Sequence, residues 1–446
     1  MLIGHNARSG KPAAFTLAVF VAIGVAIAQP VDAGTLEPGS SEHFGTFNDV
    51  DYIRYTGRFA GLTGMGAFNV PFEIVAPSDP SQGNGTVLFE PPHWFFGAFF
   101  APDFVLGRNF LFGRGFGYAA VGWSNDGLSV LDPTAAPIII AGEEVENPGS
   151  NPAEVDDVVN DVEILVQFVS ALKADPQADD LVGDLQTVYS YGFSQTSAAQ
   201  LQILLGPEGQ GLFDFSLLTL RPWPEPFPEL FDRLEGEFEP PIGIGRTIFV
   251  NSESELIVSD AEQFRIAAAL PNYRVYEIAG APHFPQPPPL NPLDWTPIMR
   301  AAFLAGDAWV RWGVEPPPSA LISEASGIDP IYGFETGIER DLNGNALGGI
   351  RLPDVEVGRA LFIATNFVVP IPDFDSELFG LWVDLQCEPL PDGSVRFANH
   401  GQYVDAVQAQ AEMLVAQRYL LPDDVGRMVS LAASSNVGRR GSCPLP

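Results

Sequence analysis

The chain switches between two hydrophobic periods. Residues 52–77 alternate short apolar runs with Gly and Pro, which predicts one or two antiparallel strands. Residues 85–90 (GTVLFE) read as a buried strand stopped by Pro91-Pro92. Residues 117–123 (GYAAVGW) read as another, stopped by Ser124-Asn125-Asp126-Gly127. The aromatic segment between them has weak helical character. In 153–173, Val155, Val158, Val159, Val162, Leu165, Val166, Val169 and Leu172 recur at helical spacing. Acidic residues crowd the start of that helix, where the dipole favours them. Strands are then expected at 186–191, 213–220, 246–251 and 274–278, and helices at 197–205, 260–270 and 297–312. Strands alternating with helices predict an α/β protein with a mainly parallel sheet. Prolines break up 221–241, and Pro316-Pro317-Pro318 marks a linker. Residues 319–446 are loop-rich at first and helical from Gln402 onward.

Composition narrows the function. Among 446 residues, 22 are basic and 56 acidic, a formal net charge of −34. That field repels phosphate backbones and anionic bilayers, so neither nucleic acid nor a membrane surface is an expected partner. Two Cys and five His, unclustered, exclude an iron–sulfur protein or a zinc ribbon. Residues 1–33 read as a secretory signal peptide: Arg8 and Lys11, an apolar run of 14 positions from Phe15 to Ala28, then small-residue exits at Ala28 and Ala33. The run is short for a span, which needs roughly 20 apolar residues. No stable membrane insertion is expected after cleavage, and the location is secreted or periplasmic. Cys387 and Cys443 are then expected to be bridged, stabilising by about 3–4 kcal/mol on the chain-entropy model.

The chemistry-bearing stretch is Tyr191-Gly192-Phe193-Ser194-Gln195-Thr196. A strand runs into Gly192 and a helix begins after Ser194, so the hydroxyl projects from the carboxyl edge of the sheet. Such a turn needs small residues two before and two after the serine. Gly192 satisfies this, whereas Thr196 departs from it. The positive helix end and the Gln195 N–H are suited to an oxyanion. Downstream, Ser252-Glu253-Ser254-Glu255 is an acidic turn past a strand end, and Glu277-Ile278-Ala279-Gly280-Ala281-Pro282-His283 is a strand followed by a histidine loop. The order serine, acid, histidine is that of one serine-hydrolase architecture.

On these motifs the sequence resembles the α/β-hydrolases, and within them the bacterial group of alpha/beta hydrolase domain-containing proteins. The segments Asn343-Gly344-Asn345-Ala346-Leu347-Gly348-Gly349-Ile350-Arg351-Leu352-Pro353 and His400-Gly401-Gln402-Tyr403-Val404 share the resemblance. It implies a hydrolase core over 34–318 with a Pro-rich cap near 221–241, and a C-terminal region over 319–446. It also implies Ser194 as nucleophile, His283 as base and Glu255 as the orienting acid, with Glu253 the alternative. Gln195 and Trp94 would form the oxyanion hole, and His93 and Phe193 would line the pocket. Neither metal nor cofactor is implied. The expected substrate is a small carboxylic ester. An amidase or peptidase on the same triad and an inactive binding protein remain alternatives, the latter favoured by Thr196 and the Pro-Pro.

Other residues have plainer readings. His400 is a rival base without a preceding sheet strand, and His43 falls in an N-terminal stretch expected to be mobile. Asp341-x-Asn343-x-Asn345 lacks the glycine and distal glutamate of a calcium loop and reads as an Asn-Gly turn.

Overall fold

A computed structural model describes residues 34–92, 101–123, 138–140, 143–145, 161–219, 245–258, 265, 267–369, 376–390, 392–441 and 443. Nine strands form the main sheet: β1 (Thr35–Phe47), β2 (Val50–Thr63), β3 (Gly66–Pro77), β4 (Thr86–Phe89), β5 (Gly117–Val121), β8 (Thr187–Phe193), β9 (Phe215–Thr219), β10 (Arg246–Ser252) and β11 (Tyr273–Ile278). Two small antiparallel pairs, β6 (Ile138–Ile140) with β7 (Glu143–Val145) and β12 (Ala360–Ile363) with β13 (Leu381–Asp384), lie outside it. The order across the main sheet is β1-β2-β3-β5-β4-β8-β9-β10-β11. Pairing is antiparallel from β1 to β5 and parallel from β5 to β11.

Alternation along each parallel strand supplies two cores. Tyr189, Tyr191 and Phe193 face one side with Leu217, Ile248, Val250 and Ile278. Val188, Leu218, Phe249 and Val275 face the other. Helices α2 (Val162–Ala174) and α4 (Gln195–Leu205) cover the second side. Helix α1 (Arg108–Phe112) covers the first together with α6 (Thr296–Trp312), which follows the short α5 (Glu253–Val258). Beyond them lie α3 (Pro176–Val182), α7 (Pro353–Glu356), α8 (His400–Ala416) and α9 (Pro422–Ser434).

Most expected elements are present within a residue or two. Helix α2 is capped by Asp161, whose carboxylate accepts from Glu163 N at 2.9 Å. The expected earlier turns, 153–160, lie outside the described residues, as do the Pro-rich segment 221–241 and most of 260–270. One expectation is corrected. The stretch holding His43 is β1, and His43 pairs in register with Ile53. Its residues are mostly polar and exposed, so no apolar alternation announces it; backbone pairing to β2 orders it. A disulfide joins Cys387 and Cys443, with Cα atoms 5.3 Å apart.

Candidate active site

Parallel registry brings three strand ends to one edge. Phe193 pairs with Thr219, Thr219 with Val250, Val250 with Tyr276 and Ser252 with Ile278. The segments leaving β8, β10 and β11 therefore start side by side. They carry Ser194, Glu255 and His283.

Ser194 bridges β8 and α4 in one residue, with φ +51° and ψ −118°. A side chain at positive φ is uncommon and costs energy, here held by its surroundings. The Ser194 N–H extends the ladder to Thr219 O at 2.9 Å. Between Val188 and Leu201 only Ser194 is not buried. The turn explains its neighbours. A Cβ on Gly192 would stand 2.7 Å from the Ser197 Cα, so only glycine fits. Thr196 occupies the second restricted position because its hydroxyl is used. It accepts from Phe193 N at 2.8 Å and donates to Phe193 O at 3.0 Å, closing the turn. Helix α4 starts at Gln195, two residues earlier than expected from the apolar pattern. The Gln195 N–H, in the first turn, has no partner carbonyl within the helix and is available to an anion.

His283 is 2% exposed, and its Nδ1 lies 2.6 Å from Glu255 Oε1. The other Glu255 oxygen accepts from Ser252 N at 3.1 Å and from the Ser252 hydroxyl. The imidazole packs edge-on to Phe193, centroids 5.5 Å apart, and to Phe284 at 4.7 Å. With Nδ1 facing a carboxylate, Nε2 is the ring nitrogen that this bond leaves unengaged. Glu253 is placed differently. It accepts from Gly280 N at 2.6 Å and pairs with Arg340. Of the two candidate acids, Glu255 is the one that meets the histidine.

Phe193 is fully buried beneath the imidazole and stacks on Trp295 at 6.1 Å. His93 and Trp94 lie outside the described residues. At the start of that segment, Glu90 is a residue sequence reading passed over. It is fully buried and accepts from Ala101 N at 3.0 Å and Tyr118 Oη at 2.9 Å. Burial pushes its carboxyl well above the usual carboxylate range and outweighs those two bonds.

The rival histidine is accounted for elsewhere. His400 Nδ1 and Nε2 face the carbonyls of Val437 and Ala433, at 2.7 and 3.1 Å. Asp341 accepts from Asn343 N and Asn345 N at 2.8 and 3.0 Å and pairs with Arg351 at 2.7 Å, the Asn-Gly turn expected. Among the described residues, no three His, Cys, Asp or Glu side chains cluster as metal ligands.

A family model described as alpha/beta hydrolase domain matches residues 74–430. The chain belongs to that family. Its fold is accordingly the α/β-hydrolase fold, a mostly parallel sheet flanked by helices. No curated protein matches the sequence. Among solved structures, an esterase from an Arctic intertidal metagenomic library is 13% identical, with TM-score 0.34, over 54% of this chain and 87% of that one. An S-formylglutathione hydrolase from Agrobacterium tumefaciens is 10% identical, with TM-score 0.33, over 54% and 89%. An arylesterase is 11% identical, with TM-score 0.32, over 55% and 79%. Superpositions this loose leave the family match and the local geometry to carry the reading of this hydrolase.

Proposed function

We propose that this α/β-hydrolase is an exported serine esterase that works through an acyl-enzyme. The observation that carries the reading is the buried 2.6 Å bond between Glu255 and His283, at the sheet edge where Ser194 alone breaks a buried run. Ser194 Oγ attacks the ester carbonyl carbon while His283 Nε2 takes the hydroxyl proton. Glu255 fixes the ring orientation and stabilises the imidazolium. The Gln195 N–H, with a donor from the segment after β4 for which Trp94 is the candidate, holds the developing oxyanion. His283 then protonates the leaving alcohol. Water, activated by the same nitrogen, releases the acid and restores Ser194.

Aromatic side chains on the histidine side support an apolar acyl or alcohol group. Phe104 lies against Phe284 and Trp295, and Phe379 against Phe284, with centroids 6.0–6.4 Å apart. The leader-like residues 1–33, together with the Cys387–Cys443 bridge, support export.

A fluorophosphonate probe tests the assignment. The mature protein should be labelled at one serine and should hydrolyse p-nitrophenyl esters. Ser194→Ala should abolish both, while Ser430→Ala, on the exposed face of α9, should change neither. Labelling that persists in Ser194→Ala would refute the nucleophile.

A further inference from the structure

The segments bearing Glu255 and His283 are stitched together at three points. Glu253 Oε2 accepts from Gly280 N at 2.6 Å, Ser254 N donates to Ala281 O at 3.3 Å, and Glu255 meets His283. The first of these is anchored from far along the chain. The second oxygen of Glu253 pairs with Arg340 Nη1. The rest of the guanidinium fork, Nε and Nη2, donates to Asp329 Oδ2 at 3.0 and 2.7 Å. Asp329 also accepts from Thr336 Oγ1 at 2.6 Å and Ile331 N at 2.9 Å. The side chains of Arg340, Glu253 and Asp329 are 6%, 0% and 1% exposed.

Burying three charges carries a large desolvation cost, and a buried ion pair is weak evidence for stability. Its return is a fixed geometry, and the element fixed here is the histidine loop. Gly280, at φ +73°, is held from both sides: its N–H by Glu253, and its carbonyl by Asn291 Nδ2 at 2.8 Å. A Cβ there would stand 2.9 Å from the Phe362 Cβ. Further bonds from the chain beyond residue 319 close on the same loop. Ala279 N donates to Ile350 O at 3.1 Å, Phe284 N to Leu378 O at 2.9 Å, and Asn291 N to Gly380 O at 3.0 Å.

We infer that Arg340 is a positioning residue for the catalytic histidine. Acting through Glu253 and the Gly280 N–H, it sets where His283 stands relative to Glu255 and Ser194. The residues after 319 are thereby part of the active-site machinery. This inference rests on the Ser194–His283–Glu255 reading. A displacement of about 1 Å at a reacting group costs on the order of 10²-fold in rate, so a loosened loop shows first in turnover.

The test compares full-length mature wild type, Arg340→Met, Arg340→Lys and Ser194→Ala on p-nitrophenyl butyrate, with active sites counted by fluorophosphonate labelling. Arg340→Met should lose roughly 10- to 100-fold in kcat per labelled site, with KM within about twofold of wild type. Arg340→Lys keeps the charge but not the fork spanning two carboxylates, and should recover part of that loss. A folded Arg340→Met with wild-type kcat per site, its only defect a lower Tm, would overturn the inference. Should Arg340→Met fail to fold, a folded Arg340→Lys decides: reduced kcat at unchanged KM supports positioning, and wild-type kcat overturns it. Activity surviving in Ser194→Ala removes the triad and this inference with it. Activity lost there, with wild-type turnover per labelled site in folded Arg340→Met, removes this inference alone.

Discussion

At the level of single residues, the site trades stability for a projecting hydroxyl. Ser194 holds φ +51° and ψ −118°, a conformation that a Cβ disfavours and glycine adopts freely. Ser194→Ala keeps the Cβ and the strain, whereas Ser194→Gly releases it. Both variants are expected to be inactive, but Ser194→Gly should be more stable than Ser194→Ala by about 1 kcal/mol, read from urea unfolding. Equal midpoints would mean that the turn is not strained. The strand-turn-helix around Ser194 and the strand-then-loop that carries His283 could be read from their local motifs. The choice between Glu253 and Glu255 could not. They are two residues apart in α5, so they project to different sides of one helical turn. Which of them reaches the imidazole is settled by Arg340, 87 residues beyond Glu253, which holds the other. No local spacing encodes that partner.

Elements add the constraint that the strand, the turn and the helix fit as one piece. Gly192 of β8 lies against the Ser197 backbone of α4, and the clash for a Cβ on Gly192 is with backbone, which cannot rotate away. Gly192→Ala should therefore push α4 outward and displace both the Gln195 N–H and Ser194. The expected result is at least a tenfold loss of kcat together with destabilisation of about 1–3 kcal/mol. Steady-state kinetics and denaturant unfolding check it, and an unchanged kcat would show that the turn absorbs the methyl. Thr196 shows where a motif rule gives way. The position tolerates a side chain because its hydroxyl satisfies the Phe193 N–H and C=O at 2.8 and 3.0 Å. The argument for an inactive protein drawn from Thr196 loses its physical basis there. Parallel strands were legible because burial on both faces leaves continuous apolar runs, as in Ile248-Phe249-Val250. β1 was not, since most of its side chains face water and its order comes from hydrogen bonds that sequence patterns do not record.

The whole molecule carries a formal net charge of −34, and self-repulsion grows as its carboxyls ionise. Within that background Glu90 behaves unlike the surface acids. It is fully buried just past the end of β4, accepts from Ala101 N and Tyr118 Oη, and meets no cation among the described residues. Desolvation raises its carboxyl well above the ordinary range, and the nearby Asp103 adds to the effect. The same burial, with Glu90 beside it, raises the Tyr118 phenol. The sign of the linkage follows. The folded state keeps the Glu90 proton at pH values where the unfolded chain, ionising near about pH 4.3, has lost it. The contribution of Glu90 is thus fully present below that pH and is lost as pH rises toward its raised folded value. Glu90→Gln keeps an acceptor for Ala101 N and Tyr118 Oη but cannot ionise. Its stability relative to wild type should therefore increase from about pH 4 to about pH 8. Urea midpoints of the two proteins across that range check this. A difference that stays constant would mean that Glu90 ionises in the folded protein as readily as in the unfolded one.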